Sequence, residues 1–364
     1  MDETLRKRLE ILTAGGRAQS LDFEGVAARV ATDRFLAIEA PDAEACARFE
    51  EMMLGALAHV DAATAQRIAE KLGPCPAAPS AVLARLIALG PDSAARVLAA
   101  APGLPAALLL ERATSGEARE AVVIARRADI DMAIVGALAR RLEPEVLRAL
   151  ATNTTTRIDR GALFALIQRA RVDLELGRLL LARADTTFDR TMLFLSADTS
   201  MRRGILLDAT RGSLAGADDL ARMLDAARFD ALGAAEAGDL TRFSTILARA
   251  LRVARSAIER LALDAGGEPF ALFFAAMGLS ATESQRPILS LRSDLAAALA
   301  DPMSGTRLAL QAPPRAAGAI LAALLPGRPR PATAGEYAQR GARAQESGAP
   351  ALGATTAARA VNRA

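Results

Sequence analysis

IDMAIVGALARRLEPEVLRALATNTTTRIDRGAL, residues 130–163, carries one signal twice. An apolar residue precedes an aspartate at Ile130-Asp131 and again at Ile158-Asp159, and five positions after each apolar residue comes another, Val135 and Leu163. Aspartate is a strong N-cap because its carboxylate accepts hydrogen bonds from amides that a helix start leaves unpaired. An apolar residue before the cap, packed on the fourth helical residue, forms a hydrophobic staple that fixes how the chain enters the helix. The signal continues outward to Leu104-Pro105 with Leu109, and to Phe188-Asp189 with Leu193, so the apolar members recur at intervals of 26, 28 and 30 residues. Proline replaces aspartate in one copy and is tolerated at a helix start.

A short apolar helix precedes each staple: ARVLAAA, REAVVIARR, EVLRALA and LGRLLLAR. Helix–turn–helix units of this size cannot bury their own apolar faces and are stable only when stacked. The reading is therefore an all-α fold, an α-solenoid of stacked helix pairs. Composition agrees with it. Ala and Leu carry most of the 52% apolar content, and β-branched and aromatic residues are scarce. At 364 residues the chain can bury about 75% of the surface its unfolded form exposes.

Residues 1–75 read as an N-terminal helical bundle, with helices at Glu3–Thr13, Asp22–Ile38, Asp42–His59 and Asp61–Leu72. GPCPAAP (73–79) punctuates the chain, helical repeats follow over 76–210, and further repeats over 211–312. In GGEPFALFFAAMGLS (266–280), Phe270, Phe273, Phe274 and Met277 fall on one side of a helix, framed by Gly267, Gly278 and a Ser280–Glu283 capping box. That places the three phenylalanines in the core. From Pro313 an Ala/Gly/Arg/Pro-rich segment reads as a mostly disordered tail, with a short helix at 316–325.

Charge is distributed unevenly. The net charge of +3 places +5 on residues 313–364 and −2 on residues 1–312, so the body is nearly neutral. No stretch is apolar enough for a membrane span or a signal-peptide core, and two cysteines do not make a disulfide framework, which points to the cytoplasm. The single histidine, His59, reads as a residue interacting with a helix C-terminus, Cys46 as core, and Cys75 as part of a turn. Thr/Asp-rich linkers at 152–157, 185–190 and 198–200 read as caps and turns rather than as a metal or phosphate site. No catalytic, cofactor-binding or metal-binding residue is assigned. The candidate partner-binding residues are the arginine clusters Arg126-Arg127, Arg140-Arg141 and Arg202-Arg203, with Arg328 and Arg330 in the tail.

Segments 65–105, 121–130 and 147–158, together with GDLTRFSTILARAL and GGEPFALFFAAMGL, make the chain resemble a known family. This is the alphaproteobacterial helical-repeat family called domain of unknown function twenty-three thirty-six, and the resemblance runs from about Ala65 to Leu289. It implies a HEAT-like solenoid with a cytoplasmic binding or regulatory role and supplies no catalytic residues. The expectation is a non-enzymatic protein–protein interaction scaffold. The alternative is a nucleic-acid-binding repeat protein using the arginine clusters and the basic tail.

Overall fold

The computed structural model describes residues 23–212 and 218–325, and among these residues the chain is helical with no strand. It forms two compact units that divide between Phe188 and Asp189.

The first unit runs through α1 (Phe23–Leu36), α2 (Ala43–Ala56), α3 (Ala62–Leu72), α4 (Ser80–Ala88), α5 (Pro91–Ala100) and α6 (Ala106–Ser115). It continues through α7 (Ala118–Ala125), α8 (Met132–Ala139), α9 (Pro144–Thr152), α10 (Arg160–Ala170) and α11 (Leu174–Ala182). Odd-numbered helices pack in unbroken succession, α1 on α3, then α5, α7, α9 and α11. Even-numbered helices form a second row in which α2 meets α4, and α6 meets α8, which meets α10. Rungs such as α3–α4, α6–α7, α8–α9 and α10–α11 join the rows. Leu86, Val97, Ile124, Leu138, Leu150 and Leu166 are fully buried in these packed faces. Each such side chain stabilises the fold by about 1.5–3 kcal/mol.

The staples set this register. Asp131 accepts a hydrogen bond from the Ile134 amide at 2.9 Å, and Asp159 accepts one from Ala162 at 2.6 Å. Leu104, Leu109, Ile130, Val135 and Leu163 are all buried. The fourth copy behaves differently: Asp189 caps a 3-10 helix, Arg190–Ser196, that kinks at Leu193 and opens the second unit. The expected N-terminal bundle is also not separate. Helices α1 to α3 belong to the two rows, and GPCPAAP is a turn between α3 and α4 within one unit. The expected helix at Glu3–Thr13 lies outside the described residues.

The second unit contains α12 (Thr199–Gly212), α13 (Asp218–Glu236), α14 (Leu240–Leu251), α15 (Arg255–Ala262), α16 (Glu268–Ala276) and α17 (Ala281–Leu291). A 3-10 turn leads to α18 (Ala296–Ala300), α19 (Gly305–Leu310) and α20 (Pro314–Leu324). Helix α16 is enclosed by α13, α15, α17, α19 and α20, and every one of its residues is buried. The phenylalanines are core, as expected, but the helix is buried all round and not along one stripe. Phe243 stacks on Phe274 at 5.6 Å between ring centroids, and Phe270 meets Phe274 edge-on at 5.2 Å. Gly267 (φ 78°) and Gly278 (φ 75°) hold the left-handed backbone at its two ends, and the Ser280–Glu283 capping box is formed.

The folded chain extends past the expected boundary at Pro313. Helix α20 buries Ala316, Ala317, Gly318, Ile320, Leu321, Ala323 and Leu324 against α12, α13 and α16. Small residues let helices approach closely, so an Ala/Gly composition that resembles a tail here serves packing. The tail expected from residue 326 onward lies outside the described residues.

Candidate functional site

The three arginine pairs do not form one surface. In each pair the first two clusters split the same way: Arg126 and Arg140 are exposed at the C-caps of α7 and α8, while Arg127 is buried and the Arg141 side chain is only 10% exposed. Arg202 is buried, and the half-buried Arg203 donates to the Met303 carbonyl at 3.1 Å. Arg328 and Arg330 lie outside the described residues.

The inward arginines make a ladder. The last carbonyls of a helix have no partner within that helix. Arg127, which follows α7, donates to the carbonyls of Leu98 (2.6 Å) and Ala101 (2.8 Å) at the end of α5. Asn153, which follows α9, donates to Ala125 (2.9 Å) and Arg127 (2.7 Å) at the end of α7. Arg183, which follows α11, donates to Asn153 (2.7 Å), Thr156 (2.9 Å) and Ala151 (3.1 Å) at the end of α9. Each odd-row helix from α5 to α9 is thus capped by the residue that ends the next helix of its row. Arg141 does the same in the even row, from the end of α8 to Gly116 (2.9 Å) and Ala113 (3.2 Å) after α6. In the second unit Arg292 reaches Ala262 at 2.5 Å.

Every capping arginine is also clamped by an acid two residues on. The pairs are Arg127–Asp129, Arg141–Glu143, Arg183–Asp185 and Arg292–Asp294, all two-pronged, with closest approaches of 2.5, 2.5, 2.6 and 2.6 Å. A buried guanidinium is tolerated only when its charge and donors are satisfied, and a planar fork matches a carboxylate on one edge and carbonyls on the other. The arginine hydrogen bonds hold the carboxyls of Asp129, Asp185 and Asp294 below the usual range, and that of Glu143 down to about 2. The carboxylates stay ionised and guanidinium does not deprotonate, so the ladder holds helices together and transfers no proton.

Arg202 sits at a related but separate junction in the second unit. It contacts Asp264 (2.5 and 3.0 Å), Glu268 (2.8 Å) and the carbonyls of Leu195 and Ala197, and lies 5.3 Å from the Phe194 ring centroid. The Glu268 carboxylate is closed in by Gly266 and Gly305, where an added methyl group would meet it at 2.0 and 2.5 Å. Glu268, in the first turn of α16, is a buried ion-pair partner. His59 is exposed just after α2, 3.8 Å from Glu24. Cys46 and Cys75 are half-buried free thiols, with Cys46 3.9 Å from the Ala77 carbonyl. Among the described residues no group of His, Cys, Asp and Glu is arranged to hold a metal, and no helix is long and apolar enough to cross a membrane.

The two outward faces of the first unit differ. Successive odd-row helices are joined by ion pairs: Lys71–Asp33 (2.6 Å), Arg96–Glu70 (3.0 Å), Arg119–Asp92 (2.6 Å), and Arg148 to Asp173 (3.0 Å) and Glu175 (2.6 Å). Asp173 feels a burial penalty that raises its pKa, but Arg148 and two backbone amides outweigh it and the net shift is downward. The even row presents Ala107 and Leu110 on α6, Met132, Ala133, Gly136 and Ala137 on α8, and Phe164 and Ala165 on α10. Phe164 is 62% exposed and Met132 58%. The sequence reading missed this face, because Phe164 follows the buried Leu163 and nothing local separates the two. The ladder shows in the sequence as Arg-x-acid after a helix end, repeated four times, but Arg127 and Arg141 read as solvated or partner-facing and Arg183 and Arg292 as nothing in particular.

Comparison with curated proteins and with solved structures finds no match. One family model matches, over residues 93–232: DUF2336, described as an uncharacterised protein conserved in bacteria. The match is narrower than the expected 65–289 and takes in helices α6 to α12 in full, with the ladder residues Arg127, Arg141, Asn153 and Arg183. Over residues 93–232 the chain is thus similar to the DUF2336 family that the sequence resembles.

Proposed function

We propose that the chain is a non-enzymatic protein–protein interaction scaffold, an α-solenoid that offers one face of its first unit to a protein partner in the cytoplasm. The observation that carries this reading is the apolar even-row face, with Phe164 and Met132 in solvent beside a row whose charges are paired among themselves. Clustered exposed apolar side chains mark interaction surfaces, whereas scattered ones are ordinary. Stacked helices supply such surfaces in an extended, fixed array.

The test is affinity capture from native lysate with the purified full chain, comparing wild type with Phe164→Ala. A protein retained at near-equal amount by wild type and lost with Phe164→Ala supports the proposal. No stoichiometric protein under any condition counts against it. Nucleic-acid binding is the second reading, favoured by the exposed Arg126 and Arg140. It requires affinity that falls steeply with salt, and the inward-turned Arg127 and Arg141 are not available to it.

A further inference from the structure

We infer that the even-row face of α6, α8 and α10 is a docking groove for an acidic amphipathic helix of a partner protein. This rests on the scaffold reading and names the partner's class. Leu110, Gly136 and Phe164 are separated by 26 and 28 residues, the spacing of the staples, and so occupy equivalent outward positions on three successive helices. Gly136 has no side chain, and Ala133, Ala137 and Ala165 beside it are short. The Arg140 guanidinium lies 3.8 Å from where a Cβ on Gly136 would sit, and the exposed Phe164 and half-buried Leu110 occupy the equivalent positions on the helices to either side. A long shallow apolar channel with an aromatic wall accepts a helix through anchors at i, i+3, i+4 and i+7.

Charge decides which helix. Arg126 is exposed at the C-cap of α7, ahead of α8, Arg157 and Arg160 where α10 begins, and Arg140 and Arg169 where α8 and α10 end. Along α8 and α10 the acids are engaged, Asp129 clamped by Arg127 and Asp131 and Asp159 capping the two helices, whereas Glu111 on α6 and Glu117 just after it are exposed. The rim along α8 and α10 is therefore basic, and a helix with acidic flanks complements it there. A second copy of this chain would bring an equally basic rim to the same face. A duplex would satisfy the arginines and leave Phe164 and Met132 unused.

The probe is a fluorescent, blocked peptide of about 18 residues with leucines at i, i+3, i+4 and i+7 and glutamates on both flanks. Its partners in the comparison are the same peptide with lysine flanks and a short DNA duplex, each titrated against the full chain by anisotropy. The acidic peptide is expected to bind, with Phe164→Ala weakening it about tenfold or more. Arg126→Glu with Arg160→Glu is expected to weaken it by about the same factor and to reverse the flank preference. Phe164 is exposed, so the melting temperature of Phe164→Ala should match wild type and exclude misfolding. The inference is overturned if the acidic peptide does not bind, if lysine flanks bind as well, if Phe164→Ala changes nothing, if only the duplex binds, or if the chain self-associates through Phe164. In any of these cases a lysate protein retained by the Phe164→Ala chain would leave the scaffold reading standing with a different face.

Discussion

The two compact units solve the same problem in opposite ways. The second encloses a single apolar helix, α16, and buries all of it. The first has no central element. Its helices lie in two rows, and its repeats are tied by polar caps from Arg127, Arg141, Asn153 and Arg183. The unit built around one helix buries that helix whole and leaves single apolar side chains outside it, Phe229, Leu263 and Met303. A unit built of stacked pairs leaves the outward stripe of each helix uncommitted, and on α8 and α10 that stripe carries Met132 and Phe164 in solvent. The difference teaches where to look for function: in the unit whose stability does not depend on its outward face.

Substitutions at four positions bear on this contrast, in decreasing order of expected effect. Phe273→Ala removes a fully buried ring from α16 and should lower stability by about 3–5 kcal/mol. Chemical denaturation with hydrogen exchange should place the loss in the second unit, and an unchanged midpoint would refute the central-helix account. Arg183→Met keeps the length of the side chain but leaves Asp185 and the carbonyls after α9 without their donor. A loss of about 3 kcal/mol is expected in the first unit. Arg183→Lys should recover only part of it, because an ammonium cannot reproduce the fork. If lysine restores full stability, the ladder is an ordinary ion pair.

Acid provides a milder version of the same break. The folded-state carboxyl pKa values are depressed, that of Glu143 to about 2. The stabilisation is therefore present above the unfolded-state values near 4 and is lost as pH falls from about 4 toward about 2. Melting temperature against pH should drop through that window, and Glu143→Gln should flatten the drop. The smallest effect belongs to the odd-row face, where Arg119 and Asp92 are both more than half exposed. Arg119→Ala should cost below about 1 kcal/mol, since exposed pairs are weak. A loss as large as that of Arg183→Met would erase the distinction between inward and outward arginines.

How much of this was legible in the sequence depended on how local the cause was. The staple at Ile130, Asp131 and Val135 involves six consecutive residues, and it formed where expected. So did the capping box at Ser280. Arg126 and Arg127 differ by one position, and which of them turns inward is decided by the end of α5, about one repeat earlier in the chain. No short-range pattern holds that information. The phenylalanines of α16 were readable as core, but the burial of its opposite side comes from α19 and α20, and the second of these, expected as a short helix at 316–325, was assigned to a tail rather than to the core. Phe164 is the hardest case. Beside the buried Leu163 it looks like one more core residue, and only the stacking of α8 on α10 leaves it in solvent.

The central claim is that partners meet the even row and not the odd one. Site-specific photo-crosslinking in native lysate tests this directly, with the crosslinking residue placed at Phe164 or Met132 in one set of chains and at Arg96 or Arg119 in the other. The account predicts a discrete protein adduct from positions 164 and 132 and none from 96 and 119. An adduct formed from 96 and 119 alone, or equally from all four, would contradict it.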